Sequence, residues 1–265
     1  MDDNSWRMLL ARLGRSWPGY AKVRKGVKKR IDNHMRELGL LAMDDYLRAF
    51  SNTEILKKVE TLMSVSISRF FRDESLWRIL EEEIIPDITV GHDKKIHAWS
   101  AGCALGQEAY SLAIKWDMLK KKCPGLPELL IRATDINPDY VDKARAGVYR
   151  RSSLKGLPDE IKSVYFHACE NVENYCVADY LKRYLTCEVH DLLKGPPPEE
   201  RFQIIFLRNS LFTYYSEERV SSVFPNILDC LDAGGFFIIG SREKLPFQTH
   251  TLSPFKGSSY IFQKT

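Results

Sequence analysis

A chain of 265 residues, 44% hydrophobic and 28% charged, suits one large domain or a core domain with a smaller companion, and is ordinary for a soluble globular protein that buries a sizeable core. A net charge of +4 is too small to imply nucleic-acid binding without a local cluster. The opening "MDDNSWRMLLARLGRSW" does not read as a signal peptide, and no apolar run approaches the roughly 18 residues of a membrane span.

The six cysteines (Cys103, Cys123, Cys169, Cys176, Cys187 and Cys230) contain no CxxC pair. The expectation is therefore no metal site, a reduced cytoplasmic setting, and cysteines acting as small buried hydrophobes.

Residues 1–90 read as helical. "YAKVRKGVKKRIDNHMRELGL" spaces Val23, Val27, Ile31, Met35 and Leu38 by three or four residues, which makes one apolar stripe, and Gly39 is a natural stop. The other face carries Lys22, Arg24, Lys25, Lys28, Lys29, Arg30 and Arg36 against Asp32 and Glu37. A one-sided basic face over 22–36 reads either as a solvated surface or as a docking site for an acidic protein. From residue 94 the pattern changes to alternating strands and helices. "KIHAWSAG", "LLIRATD", "YLTCEVHDLL", "FQIIFLRNS" and "GGFFIIGS" read as strands. "GQEAYSLAIKWDMLKK", "NPDYVDKARAGVY" and "SEERVSSVFPNILDCL" read as helices. This alternation predicts a parallel sheet covered on both faces. The tail "HTLSPFKGSSYIFQKT" reads as a terminal hairpin, and 163–187 as a small β excursion.

Ligands of open α/β sheets bind beyond the carboxyl ends of the strands. Polar residues collect there: "SAGCALGQE" with Glu108 after the first strand, Asp135 after the second, Asp191–Leu192 after the third, Arg208–Asn209 after the fourth. The glycine pattern is not G-x-G-x-x-G, and the loop is acidic where a pyrophosphate wants bare N–H groups. The pattern suits a ligand with a ribose, an adenine and a positive centre, as in S-adenosylmethionine.

"VSISRFFRD", "AWSAGCALGQEAYSLAI", "ATDINPDYVDKARAGVY", "IIFLRNSLFTYY" and "GGFFIIGSREKL" occur in order, and together the chain resembles the CheR family of chemotaxis-receptor glutamate methyltransferases over nearly its whole length. The resemblance implies a class I (Rossmann-like) methyltransferase sheet over 91–265, a helical amino-terminal domain over 1–90, and a small β subdomain near 163–187. It implies S-adenosylmethionine as methyl donor and a protein glutamate as acceptor. Carried over by position, cofactor contacts fall on Ser66, Ser68, Arg72, Glu108, Asp135, Asp191, Leu192, Arg208 and Asn209. Ser66 and Asp191 each stand where the family usually has Asn. Arg72 matches the active-site arginine. In the family RN is followed by a tyrosine four residues after the Asn, but here Thr213 takes that place and Tyr214 follows. Either Tyr214 serves as the catalytic tyrosine with a one-residue shift, or the acceptor differs from a receptor glutamate. A non-catalytic module that binds S-adenosylmethionine is the third reading.

Overall fold

The computed structural model describes residues 1–91, 95–169, 173–195, 201–245 and 249–265. The amino-terminal helices are α1 (Asp3–Leu13), α2 (Arg24–Glu37), α3 (Met43–Arg48), α4 (Thr53–Met63), α5 (Glu74–Ile79) and α6 (Ile85–Thr89). Local chemistry sets their ends. The Asp2 carboxylate caps α1 by accepting the Ser5 N–H at 2.7 Å, Asn52 caps α4, and Gly14 closes α1 in the left-handed region. The stripe on α2 is real: Val27, Ile31 and Met35 are buried against α1, α3 and α4, with Val23 partly buried, while Leu38 lies at the exposed end.

The sheet follows. In chain order, β1 (Lys95–Ala101), α7 (Gln107–Lys122), β2 (Glu128–Asp135) and α8 (Pro138–Ala146) lead into β3 (Val148–Arg150), α9 (Asp159–Tyr165), β4 (Phe166–Ala168), β5 (Asn174–Val177) and α10 (Asp179–Lys182). Then come β6 (Leu185–Val189), β7 (Phe202–Leu207), α11 (Leu211–Tyr214), α12 (Glu217–Asp229), β8 (Leu231–Ile239), β9 (Leu252–Pro254) and β10 (Ile261–Lys264). Seven strands stand in the order β6-β2-β1-β7-β8-β10-β9, parallel from β6 to β8, with β10 antiparallel to both its neighbours. This is the expected class I sheet with its terminal hairpin. Every residue of β7 is buried, as its unbroken "FQIIFL" requires at the centre of a doubly covered sheet.

Three expectations need correcting. The excursion placed at 163–187 is a three-stranded sheet, β3-β5-β4, that starts earlier, at Val148, and ends at Val177; Leu185–Val189 belongs to the main sheet. Its hairpin β4–β5 carries a Cys169–Cys176 disulfide, so these two cysteines are not the reduced hydrophobes expected, and Cys123 is exposed. Spacing alone gave no sign of the bridge, because the hairpin that brings the two sulfurs together was not foreseen. The basic face of α2 is also narrower than its composition. Lys28 and Arg24 pair with Asp3, and Arg30 donates to the Leu62 and Ser64 carbonyls at the end of α4. Lys22, Lys25, Lys29 and Arg36 stay exposed. No helix among the described residues is long and apolar enough to cross a membrane.

Candidate active site

The carboxyl ends of β1, β2 and β7 lie side by side, with Ala101 level with Thr134 and Ser100 level with Phe206. The loop after β1 takes positive φ at Gly102, Ala104 and Gly106. A side chain at Gly102 would put its Cβ 2.7 Å from Ser210 Cβ, so the close approach of the β1 and β7 loops requires glycine. The same loop grips the end of β2: the Ala104 N–H donates to Asp135 Oδ2 at 3.0 Å and the Asn137 N–H to Oδ1 at 2.9 Å. Burial raises the Asp135 carboxyl above its ordinary pKa, opposed by these backbone N–H groups.

Asp135 lines a cleft whose empty space, counting its open mouth, is about 570 Å³. Ile136, His190 and Leu192 line it from the loops after β2 and β6, Tyr214 from the helix after β7, and Tyr20 and Met63 from the amino-terminal helices. The backbone N–H groups of Ala104, Ile136 and Asn137 do not use all the acceptor sites of the Asp135 carboxylate, which leaves room for a ribose hydroxyl, and Ile136, Met63 and Leu192 offer apolar surface to a base. The residues present thus fit S-adenosylmethionine. Asp191 stands beside this cleft and caps the turn Leu192–Lys194, accepting the Leu193 N–H at 3.0 Å.

A second cleft adjoins the first and shares Val65, Gly102 and Asn209 with it; Ser68, Arg72, Glu108 and Arg208 line the rest. Ser66 lines neither cleft. Arg72 sits between two non-glycine residues in the left-handed region, Phe71 (φ 48°) and Asp73 (φ 61°). Such backbone persists only where the surroundings over-determine it, and here they do. The Phe71 N–H donates to Ser111 Oγ at 2.9 Å, the Arg72 carbonyl accepts Trp77 Nε1 at 2.9 Å, and the Asp73 carboxylate is paired with Arg208. Trp77 in turn stacks on Phe206 of β7. The Arg72 guanidinium makes one hydrogen bond, to the Ile67 carbonyl at 3.4 Å, and has no carboxylate partner among the described residues. Its fork is therefore available to one.

Arg208 is used otherwise. Its side chain is buried, one nitrogen 2.8 Å from Glu108 Oε2 and another on Asp73, while Ser100 Oγ donates to Glu108 Oε1 at 2.7 Å. Two of the residues expected to hold the cofactor, Glu108 and Arg208, thus bind each other, and they tie the Arg72 turn to the start of α7. Asn209 follows in the left-handed region (φ 53°), which Asn tolerates better than most residues. It is held by Glu243, whose Oε2 accepts the Asn209 and Gly240 N–H groups, each at 2.8 Å, and whose Oε1 accepts the Thr213 hydroxyl. Tyr214 lines the first cleft with its ring 5.0 Å from that of Tyr20, and burial pushes its hydroxyl up to about 12.

Glu243, Tyr20 and Asp73 were not singled out from the sequence. Glu243 lay within the quoted "GGFFIIGSREKL", but only the fold shows that its carboxylate crosses to Asn209. The amino-terminal segment reaches the site through a seam with the β7 loop. Ser16 N–H donates to the Tyr214 carbonyl at 3.0 Å, Arg15 pairs with Glu60 and lies 3.7 Å over the Tyr215 ring, and a Cβ on Gly19 would overlap the Thr213 carbonyl oxygen.

The CheR methyltransferase, SAM binding domain, matches residues 66–261. Chemotaxis protein methyltransferase 1 of Vibrio cholerae serotype O1 is 30% identical over 224 residues, which is 83% of this chain and 80% of that protein. The chemotaxis protein methyltransferase of Vibrio anguillarum is 29% identical with the same coverage, and that of Listeria innocua 29% over 72% of this chain and 70% of its own. The chain therefore belongs to the CheR methyltransferase family and is an S-adenosylmethionine-dependent methyltransferase.

Proposed function

We propose that this enzyme methylates glutamate side chains of a protein, of the chemotaxis-receptor type, with Arg72 orienting the acceptor carboxylate and Asp135 holding the ribose. The observation that carries the reading is Arg72, set at the cleft wall between two residues in the left-handed region and with no carboxylate partner among the described residues. When bound, S-adenosylmethionine supplies a methyl group on a sulfonium. A glutamate carboxylate, with a reference pKa near 4.3, is already ionised at neutral pH, so no general base is required. The chain's task is to orient and to exclude water, and orientation alone supplies roughly 7–11 kcal/mol in favourable cases. A planar guanidinium fork matches the two oxygens of the entering carboxylate. The Tyr20–Tyr214 pair lines the adjoining cleft, the one that Asp135 lines. The attacking oxygen needs no proton removed, and the product is an ester.

Ser68, Leu192 and Asn209 complete the cofactor's surroundings in this reading, with Glu108 and Arg208 as the frame behind it; Ser66 and Asp191 stand just outside. The acceptor approaches over Lys22, Lys25 and Lys29, whose exposed charge suits an acidic protein. The helices up to Met63, which pack a core of their own, act as the acceptor-facing domain; α5 and α6 pack into the core of the sheet and belong with the methyltransferase domain, so the boundary expected at 90 falls earlier, and the enzyme works in the cytoplasm.

Transfer of a tritiated methyl group, followed by mild base, tests the reading. A carboxyl ester releases labelled methanol, whereas N-methyl and ether products release none. A second reading, methyl transfer to a different protein or small-molecule acceptor, is favoured by one observation: Thr213 stands at the family's tyrosine position and is occupied by Glu243. Base-stable label on a non-glutamate product would favour it.

A further inference from the structure

Tyr149 lies in the small sheet, 3% exposed, and lines neither cleft. It nonetheless touches both halves of the site. Its hydroxyl donates to the Leu105 carbonyl at 2.7 Å, inside the loop whose Ala104 N–H holds Asp135. Its ring meets the Phe70 ring edge-on at 4.9 Å, and Phe70 is closed from the other side by Phe166 of β4 at 5.0 Å. Phe70 is the residue before the two-residue step that puts Phe71 in the left-handed region and aims Arg72. Leu105 stands between Ala104 and Gly106, both at positive φ. Each strained segment needs contacts that hold it there, and one side chain of the small sheet contributes to both. Burial raises the Tyr149 hydroxyl well above its ordinary pKa, so it remains a donor through the working range.

We infer that Tyr149 is a positioning residue through which the small sheet sets the two halves of the site separately: the hydroxyl fixes the cofactor loop, and the ring, through Phe70, fixes the Arg72 turn. The inference rests on the reading that Asp135 holds the cofactor and Arg72 orients the acceptor.

The two arms are separable by variant. Tyr149→Phe keeps the ring and deletes the donor; its affinity for S-adenosylhomocysteine, by calorimetry, is expected to fall about 3–10-fold, with kcat at saturating cofactor nearly intact. Phe70→Leu keeps the hydroxyl bond and deletes the aromatic edge; kcat is expected to fall about tenfold or more, with little change in that affinity. Thermal melts check folding, and Phe166→Leu repeats the ring test if Phe70→Leu does not fold. A purely structural role would lower the melting temperature of both variants and leave the folded fraction of each with wild-type affinity and kcat. That result, or a loss of both properties together in either variant, overturns the inference. Failure of the wild-type enzyme itself to bind S-adenosylhomocysteine or to form a base-labile ester would instead count against the underlying reading.

Discussion

The Thr213 hydroxyl donates to Glu243, and the same carboxylate receives the Asn209 N–H at 2.8 Å. Thr213 is thereby turned toward the β8 loop, and Tyr214 is the side chain of this pair that lines the cleft. If Tyr214 contacts the reacting groups, Tyr214→Phe should lower kcat about 2–10-fold, the worth of one hydrogen bond, with unchanged affinity for S-adenosylhomocysteine. Because burial holds its hydroxyl up to about 12, Tyr214 stays protonated through neutral and mildly basic pH, and the variant should keep the wild-type pH–rate profile. A shifted profile would mean that Tyr214 titrates during turnover.

Asp135→Ala should weaken cofactor binding by about 1.5–3 kcal/mol, the range for hydrogen bonds to a charged group. The pH dependence has a definite sign. Burial raises the Asp135 pKa, so the folded protein holds this proton more tightly than the unfolded chain. Its contribution to stability is therefore greatest at low pH and declines as pH rises from the ordinary value to the folded one. Cofactor binding runs the other way, since ribose hydroxyls donate to the ionised form. S-adenosylhomocysteine affinity should begin to fall, on acidification, above the usual carboxylate range, and Asp135→Asn should lose that inflection. Calorimetry across pH reads both.

Arg72→Ala should cut kcat by about 10²-fold or more, the cost of losing alignment at the reacting carboxylate. Arg72→Lys should recover only part of it, because an ammonium lacks the planar fork. Single-turnover rates with the cofactor saturating make the measurement, and full activity in folded Arg72→Ala would remove Arg72 from the chemistry.

Arg208→Ala should behave differently, as a loss of fold. It leaves the half-buried Glu108 and Asp73 carboxylates without their shared cation; breaking a fully buried pair costs about 3–5 kcal/mol, and the partial exposure of both carboxylates puts this loss toward the lower figure. Denaturant unfolding measures it; a variant of wild-type stability would show that Glu108 and Asp73 do not depend on Arg208.

Charge reversal at Lys22, Lys25 and Lys29 should raise KM for an acidic protein acceptor while leaving S-adenosylhomocysteine affinity alone, and the wild-type advantage should fade as salt rises. Lys28 belongs outside this set, since Asp3 already holds it. Equal KM values at low salt would remove the docking role.

The main sheet was legible because each strand and helix announces its own period, and the polar residues at strand ends are displaced from an apolar run that stops at a fixed place. Asp135 is the clear case: "LLIRATD" is strand until the residue that turns polar. The sequence does not say what those polar groups spend their bonds on. Arg208 reads as a ligand contact from its position, and only the fold shows Glu108 and Asp73 on either side of it, one 100 residues away in the chain and the other 135. Glu243 was invisible for the same reason. Apart from the neighbouring Gly240, its partners Asn209 and Thr213 come from a different strand end, and no local period links them. The small sheet was misplaced because strands of three or four residues are too short to carry an alternation.

The Cys169–Cys176 bridge closes the hairpin whose first strand supplies Phe166, and Phe166 packs on the residue next to the Arg72 turn. The buffer is consequently a variable of any kinetic experiment on this enzyme. With dithiothreitol present the end of the hairpin is held by strand pairing alone; in its absence a covalent link is added. Rates collected for different variants under different thiol conditions would compare two versions of the small sheet as well as two side chains, so the reductant should be fixed before any substitution is interpreted.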